Sequence, residues 1–141
     1  MASFSDIQRV VNGEGHFAPY NHITVTRIEN REAEGTLEIR SESLNPMGIV
    51  HGGALVALAD TVCGVAAWSS GRVCVTLDCS MQYLAPGTGK TITCVATPKK
   101  LGRTILVYDA ALTDDTGRLV ATGTYTFFAK EQRVEDTEIG K

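Results

Sequence analysis

One predominantly apolar segment, residues 53–68, constrains the fold of this chain more than any other feature. Asp60 is the only side chain in it that carries a charge at neutral pH. The length of the segment, its alanines and the glycine pair at its start favour a helix over a strand. A helix that is apolar on nearly every side has to be covered by other elements. Gly64, inside this helix, lowers its stability by about 1 kcal/mol relative to alanine, which suggests that another backbone approaches there.

Segments in which apolar and polar side chains alternate predict strands on both sides of this helix. Two of them precede the helix and form an antiparallel hairpin with one solvated face. Four follow it, and Pro98 is expected to end the second of these four. The six segments are residues 23–28, 33–40, 73–83, 90–97, 104–113 and 119–128.

Runs of strands with one segregated helix indicate the α+β class, here a single antiparallel sheet that curls around one helix. Such a sheet covers one side of a helix, so we expect the other side to meet a second copy of the chain or a second layer. The length corresponds to one domain, residues 1–141. Within it, residues 1–16 are expected to form a short helix and a loop, residues 19–21 a further loop, and residues 130–141 a charged tail that frays.

The charge balance limits the classes of partner. A net charge of −3, from 13 Lys and Arg against 16 Asp and Glu, argues against a nucleic-acid partner. The chain opens without a positively charged and then apolar leader, and its longest apolar stretch is shorter than the roughly 20 residues of a membrane span. We therefore expect a cytoplasmic protein without a membrane partner.

Four cysteines lie in apolar or alternating contexts and form no C-x-x-C pair. They are Cys63, Cys74, Cys79 and Cys94. Without a secretory leader, such cysteines are expected to be free thiols in the core. Their spacing and that of the three histidines do not fit a zinc site, so no metal is expected.

Asp60 is the first candidate for chemistry. The residues three and four positions away on its helix face are apolar or small, so this carboxylate has no cationic neighbour there. Two interpretations are open: a functional carboxylate, or a structural one on a solvated edge or bonded to backbone.

His51, Gly52 and Gly53 at the start of the helix also allow two interpretations. The glycines either supply a turn with positive φ or expose amide donors that suit an anion or a developing oxyanion. His51 either fixes the loop by hydrogen bonds or belongs to a site.

These residues together resemble the signature of a known family. The pattern is Asn45-x-x-Gly48-x-x-His51-Gly52-Gly53, then seven residues, then Thr61 preceded by Asp60. It is similar to the signature of hotdog-fold acyl-CoA thioesterases, in particular the phenylacetate-degradation type. The resemblance extends over roughly residues 20–128 and includes residues 83–86 and 100–104. It implies the hotdog fold, in which an antiparallel sheet wraps around one long central helix.

The resemblance also implies roles for individual residues. Asp60 would be the general base or the nucleophile. The Gly52 amide would bind the thioester carbonyl oxygen, with the help of the helix dipole. Asn45 would position the thioester or the lytic water, His51 would shape the loop, and the Thr76 hydroxyl would orient water.

A second group of residues is expected to bind coenzyme A, which is part of the substrate and not a cofactor. These residues are Tyr83, Lys100, Leu101, Gly102, Arg103 and Thr104. Lys99, Lys100 and Arg103 form a basic cluster that suits a nucleotide phosphate, although an exposed hairpin with lysines is an alternative interpretation.

The implied activity is hydrolysis of an acyl-CoA thioester to free acid and coenzyme A. A non-catalytic acyl-CoA-binding protein and an enoyl-CoA hydratase are the alternatives. Gly52 and Asp60 are eight residues apart, roughly 12 Å of helical rise, which is too far for both to contact one carbonyl. In the family, Asp60 faces residues 45–53 of a partner subunit. We therefore expect a homo-oligomer, a dimer at least, with a tetramer as a dimer of dimers. The sequence does not identify the acyl group of the substrate.

Overall fold

The computed structural model describes residues 3–140 as three helices, six strands and three short 3-10 turns. The helices are α1 (Phe4–Val11), α2 (Phe17–Tyr20) and α3 (Gly52–Trp68). The strands are β1 (Ile23–Glu29), β2 (Glu32–Glu38), β3 (Arg72–Tyr83), β4 (Thr91–Leu101), β5 (Ile105–Thr113) and β6 (Leu119–Arg133). The 3-10 turns are Ser41–Ser43, Val134–Asp136 and Glu138–Gly140.

The six strands form one antiparallel sheet in the order β1-β2-β4-β5-β6-β3. The sheet wraps around α3, which contacts every one of its strands. This arrangement confirms the predicted α+β class. β1 and β3 are the two edge strands of this sheet.

The core lies between α3 and the concave face of the sheet. Leu58 and Val62 on the helix are fully buried there, which stabilises the fold by about 1.5–3 kcal/mol for each side chain. Two sheet tyrosines also bind the helix backbone. Tyr108 Oη donates to the Ala66 carbonyl at 3.2 Å. Tyr125 Oη donates to the Val56 carbonyl at 3.0 Å.

Gly35 marks the closest approach of helix and sheet. A Cβ at this position would lie 2.7 Å from Val62 Cγ2 and 2.9 Å from the Thr24 carbonyl oxygen. Real Cβ atoms do not tolerate such contacts, so the sheet can pack this tightly on α3 only with glycine at residue 35.

The predicted end of a strand at Pro98 is wrong. β4 continues through Pro98 to Leu101, and its register with β5 shifts between Pro98 and Lys100. A proline has no amide hydrogen to donate. Pro98 pairs with Tyr108 directly beside the bulge, which leaves out Lys99, and a bulge is one of the places in a strand where proline is tolerated.

The predicted frayed tail is also wrong for residues 130–140. β6 extends to Arg133, which pairs with Arg72 at the start of β3. Val134 is then buried, and its amide donates to the Gly71 carbonyl at 2.9 Å. Most charged side chains of this segment are exposed, and Arg133 is half-buried. Lys141 lies outside the described residues.

The N-terminal segment forms the predicted helix, α1. Its attachment to the sheet is polar: Asn12 Oδ1 accepts from the Val25 amide and Nδ2 donates to the Val25 carbonyl, both at 2.9 Å. Gln8 Nε2 donates to the same carbonyl at 3.1 Å. The loop predicted at residues 19–21 is wrong in part, because α2 extends to Tyr20.

Three of the four cysteines are buried in the core, as predicted, but Cys79 is exposed on β3, where the prediction is wrong. Burial raises the pKa of Cys74 to about 11 and that of Cys94 to about 12. It also raises the pKa of Cys63. Among residues 3–140, no helix is both long and apolar enough to cross a membrane.

Candidate active site

Asp60 and Thr76 form a hydrogen-bonded pair between α3 and β3. Thr76 Oγ1 donates to Asp60 Oδ1 at 2.8 Å. No other donor in the described part of the chain hydrogen-bonds this half-buried carboxylate, so Oδ2 remains available to a ligand. Its hydrogen-bond partner is a side chain, and no backbone group of the described residues donates to it, so the structure shows no backbone bond in support of the structural interpretation.

This pair lies on the wall of a cleft of about 660 Å³ between α1 and α3. We call it the α1–α3 cleft. Most of its lining side chains are apolar, and its volume lies within the range of small-molecule sites. Asp60 therefore has an open side where a substrate can approach.

The loop before α3 is fixed by Asn45. Asn45 Oδ1 accepts from the amides of Met47 at 2.9 Å and Ile49 at 3.3 Å. The Asn45 amide in turn donates to the Ile49 carbonyl at 2.8 Å. Gly48 permits this tight loop with φ of +79°. Because Oδ1 is used in the loop, Nδ2 is the group of Asn45 left to contact a ligand.

His51 is the N-cap of α3. Its Nδ1 accepts from the Gly53 amide at 2.8 Å, and its own amide donates to the Ser43 carbonyl at 2.8 Å. These bonds favour the interpretation that His51 fixes the loop. A Cβ at residue 53 would lie 2.9 Å from His51 Nδ1, so a side chain there would displace the ring.

Gly52 presents a free amide at the helix N-terminus. Neither Gly52 nor Gly53 has a positive φ, so a left-handed turn does not explain the glycine pair. The Gly52 amide has no acceptor within residues 3–140, and the dipole of a 17-residue helix favours negative charge at this end. The family resemblance assigns the thioester carbonyl oxygen to this amide, and that role stays a prediction.

Tyr83, predicted to contact coenzyme A, lies against Gly52 in this chain. Tyr83 Oη donates to the Gly52 carbonyl at 3.4 Å. A Cβ at residue 52 would lie 3.3 Å from two ring carbons of Tyr83. The end of β3 and the start of α3 therefore meet at this point.

The chain does not bring Gly52 and Asp60 together. Both are on α3, eight residues apart, which corresponds to about 12 Å along a straight helix. A single carbonyl group cannot contact both within one chain, as expected from the sequence.

The other predicted binding residues, 100–104, cover the end of β4 and the turn that leads into β5. The Gly102 amide donates to the Ile105 carbonyl at 3.0 Å. A Cβ at residue 102 would lie only 2.6 Å from that oxygen, so the turn requires glycine. Leu101 is exposed at the end of β4.

Arg72 holds this turn against β6, and sequence reasoning missed it. Its guanidinium donates to the carbonyls of Ala129 and Lys130, each at 2.8 Å, and to that of Arg103. All three acceptors are backbone atoms, so no motif in the sequence identifies Arg72.

An ion pair neutralises Lys99, one of the three residues of the predicted basic cluster. Lys99 Nζ lies 3.8 Å from Asp109. Lys100 and Arg103 are exposed and have no acidic partner within 4 Å among the residues that the structure describes. They are therefore the two cations available to a phosphate.

The sheet register places this turn near Thr76. The Ala129 amide donates to the Thr104 carbonyl at 2.8 Å, and Ala129 pairs with Cys74 on β3. Two strand spacings, about 10 Å, therefore separate Thr104 from β3. The Asp60–Thr76 pair and the basic turn lie at the same end of the sheet.

β3 has a free edge in this chain. It pairs only with β6, and most of its side chains from Val75 to Tyr83 are exposed. The exposed fraction is 55% for Leu77 and 53% for Tyr83. A long, exposed and partly apolar edge is a surface on which another strand can pair.

Comparisons with known proteins connect this arrangement to a family. Residues 47–121 match the family model of the thioesterase superfamily. The chain is similar to a hypothetical thioesterase of Streptococcus pneumoniae solved with coenzyme A, with 32% identity, a TM-score of 0.75 and coverage of 79% of this chain and 88% of that one. It is also similar to the PaaI protein of the Escherichia coli phenylacetic acid degradation operon, with 26% identity, a TM-score of 0.79 and coverage of 82% and 85%. The 1,4-dihydroxy-2-naphthoyl-CoA hydrolase of Escherichia coli is 26% identical over 117 residues, which are 81% of this chain and 86% of that protein. These similarities confirm the predicted hotdog fold.

Proposed function

Because this chain belongs to the thioesterase superfamily and is a thioester hydrolase, we propose that it hydrolyses an acyl-CoA with Asp60 as the general base or nucleophile. The observation that carries this proposal is the Asp60 carboxylate on the wall of the α1–α3 cleft, with Oδ1 held by Thr76 and Oδ2 without a hydrogen bond among the described residues. A carboxylate suffices because a thioester carbonyl is already activated.

In the general-base route, Asp60 takes a proton from a water molecule while the oxygen of that water attacks the thioester carbonyl carbon. The carbonyl oxygen then carries the negative charge of a tetrahedral intermediate. Its collapse breaks the carbon–sulfur bond, and the coenzyme A thiolate leaves and gains a proton. Thr76 acts as a positioning residue because it fixes one oxygen of the base.

The negative charge on the carbonyl oxygen needs a donor, and the free Gly52 amide at the start of α3 supplies it. Since Gly52 and Asp60 of one chain are about 12 Å apart, the donor comes from a second chain. The free edge of β3 supports pairing between two copies. The proposed assembly is a homodimer at least, and a tetramer would be a dimer of such dimers.

Coenzyme A would lie along the turn between β4 and β5. Lys100 and Arg103 are the exposed cations there and suit its phosphates. The Streptococcus pneumoniae relative was solved with coenzyme A, which supports coenzyme A as the ligand of this chain. Tyr83, Leu101, Gly102 and Thr104 are the further proposed contacts, and Asn45 Nδ2 is the proposed contact to the thioester or the water.

The test is Asp60→Asn, which keeps the shape of the side chain and removes its charge. Loss of a general base lowers kcat by about 10²–10⁴-fold. Release of free thiol from a panel of acyl-CoA and aryl-acyl-CoA thioesters measures this loss. Asp136→Asn is the matched control, because Asp136 is exposed in a 3-10 turn and should keep its kcat.

Near-normal turnover in a folded Asp60→Asn protein would refute the role of Asp60. The same measurement on Asp60→Ala serves as a check on this result. Loss of enoyl absorbance without release of thiol would indicate hydration instead of hydrolysis.

Mixing two inactive variants tests whether the site spans two chains. Asp60→Asn leaves Gly52 intact, and Gly52→Val leaves Asp60 intact, so a mixed dimer contains one complete site. After joint refolding, half of the dimers are mixed and half of their sites are complete, so about a quarter of the wild-type activity should return. No recovery in dimers shown to be mixed would place the site within one chain.

A further inference from the structure

We propose that the α1–α3 cleft binds the acyl group, that it selects uncharged apolar acyl groups, and that Gly64 sets the room available to them. This inference rests on the proposed function, because the cleft is assigned to the acyl group through Asp60 and Thr76 on its wall.

The lining of the cleft indicates the class of acyl group. Ile7 and Val10 of α1, Val65 and Trp68 of α3, and Phe127 of β6 supply apolar surface. Among the described residues, no Lys or Arg side chain lines the cleft, and His16 at its edge is the one side chain there that could carry a positive charge, opposite the negative Asp60. A second carboxylate on the acyl group would therefore lose its hydration without gaining a counter-ion.

The cleft follows the second half of α3. Asp60 and Trp68 are eight residues apart, so the wall between them is about 12 Å long. The Trp68 indole N–H donates to the Cys74 carbonyl at 2.9 Å, which fixes the ring. The cleft thus has the carboxylate towards one end and a rigid aromatic side chain towards the other.

Gly64 lies between these two residues, four positions after Asp60 and on the same helix face. Outside the helix's own backbone, the only atom of residues 3–140 within 4 Å of a Cβ built there is Phe127 Cε1, at 3.9 Å. The predicted approach of another backbone at Gly64 is therefore wrong within this chain. Its φ is not positive either, so neither packing within this chain nor backbone conformation requires glycine at this position.

An interior glycine costs about 1 kcal/mol of helix stability relative to alanine. Gly35 is explained by the close contact with Val62, whereas Gly64 faces the cleft. The structure thus assigns the missing side chain at residue 64 to the space for the acyl group.

The cleft is formed before any ligand enters. Its roof, α1, is held by three hydrogen bonds between the backbone of Val25 and the side chains of Gln8 and Asn12, in one of which the Val25 amide is the donor. A neighbouring cleft of about 800 Å³ is lined by Ala57 and by the hydrogen-bonded pair His22 and Glu42. That cleft contains neither Asp60 nor Thr76, and its lining is more polar, so it is the weaker candidate.

The test compares Gly64→Ala and Gly64→Leu on straight-chain acyl-CoAs of increasing length and on phenylacetyl-CoA. The measured quantity is the kcat/KM for each bulky acyl group divided by that for acetyl-CoA. We expect Gly64→Leu to lower this ratio by at least about tenfold, since one methylene in a hydrophobic pocket changes kcat/KM by that factor or more. The ratio for Gly64→Ala should lie between those of the wild type and Gly64→Leu. Its Tm should be at or above that of the wild type. A thioester that ends in a second carboxylate should be hydrolysed at least about tenfold more slowly than its uncharged analogue of equal length.

Ala57→Leu is the matched control, because it places the same leucine side chain on the same helix in the neighbouring cleft. Val10→Phe is a second variant that narrows the α1–α3 cleft from its opposite wall, in case Gly64→Leu does not fold. If the wild type hydrolyses no thioester of the panel, the proposed function itself fails. Two results with an active wild type would overturn the inference and show that the acyl group does not lie in this cleft. The first is an unchanged kcat/KM ratio in Gly64→Leu, or in Val10→Phe if Gly64→Leu does not fold. The second is a decrease of the ratio in Ala57→Leu instead.

Discussion

Thr76 allows the sharpest quantitative prediction. Its hydroxyl donates to the Asp60 carboxylate at 2.8 Å, and hydrogen bonds to charged groups contribute about 1.5–3 kcal/mol. Thr76 is exposed in this chain, so water competes for the carboxylate and the low end applies. Thr76→Val keeps the branched shape that suits a strand and removes only the hydroxyl. A loss of about 1.5 kcal/mol corresponds to a decrease in kcat of about tenfold.

The assay is release of free thiol at saturating acyl-CoA, with kcat and KM determined separately. Because Thr76 positions Asp60 and is not assigned to bind the substrate, we expect the loss in kcat with a KM that changes by no more than about twofold. Thr76→Ser restores a hydroxyl and should recover most of the kcat. A kcat of Thr76→Val equal to that of the wild type, or a Thr76→Ser variant as slow as Thr76→Val, would refute the reasoning.

Two further predictions concern stability. Asn12→Ala leaves the amide of the fully buried Val25 without its acceptor at 2.9 Å, so the free energy of unfolding in urea should fall by about 1–3 kcal/mol; an unchanged value would show that the attachment of α1 adds no stability. At Asp114, hydrogen bonds from Thr116 and then from Arg118 hold the pKa of the carboxyl below its ordinary value of 3.8. This contribution is present above the ordinary pKa and is lost as the pH falls through the lower folded pKa. Asp114→Asn should therefore differ from the wild type more at pH 7 than at pH 3 in urea unfolding, and an equal difference at both pH values would contradict the assigned cause.

The parts of the fold that local pattern determines could be predicted from the sequence. The apolar segment around Asp60 is long enough for a helix, and the alternating segments give most strands. Pro98 and residues 130–133 could not be predicted in this way, because their strands continue through pairing with distant partners. Arg133 pairs with Arg72, for example, and the sequence contains no local sign of that pairing.

The candidate site shows the same division. Asp60 is noticeable in the sequence because it is a lone charge in an apolar helix. Thr76 was assigned only through the family resemblance, since one threonine in a strand carries no signal by itself. The alternation along β3 suggested that Cys79 is buried, but β3 is an edge strand and Cys79 is exposed. Periodicity shows which side chains share a face, but it does not show what covers that face.

The free edge of β3 also affects how the protein behaves on dilution. In the proposed dimer, association stabilises the folded state by mass action, so the Tm should rise with protein concentration. A separated chain exposes Leu77 and unpaired backbone groups on the same strand, and such edges pair readily with any available strand. Loss of the partner would thus remove the complete site, so the activity per chain should fall on dilution below the dissociation constant of the dimer. When such chains are concentrated again, pairing with the native partner competes with aggregation at the same edge.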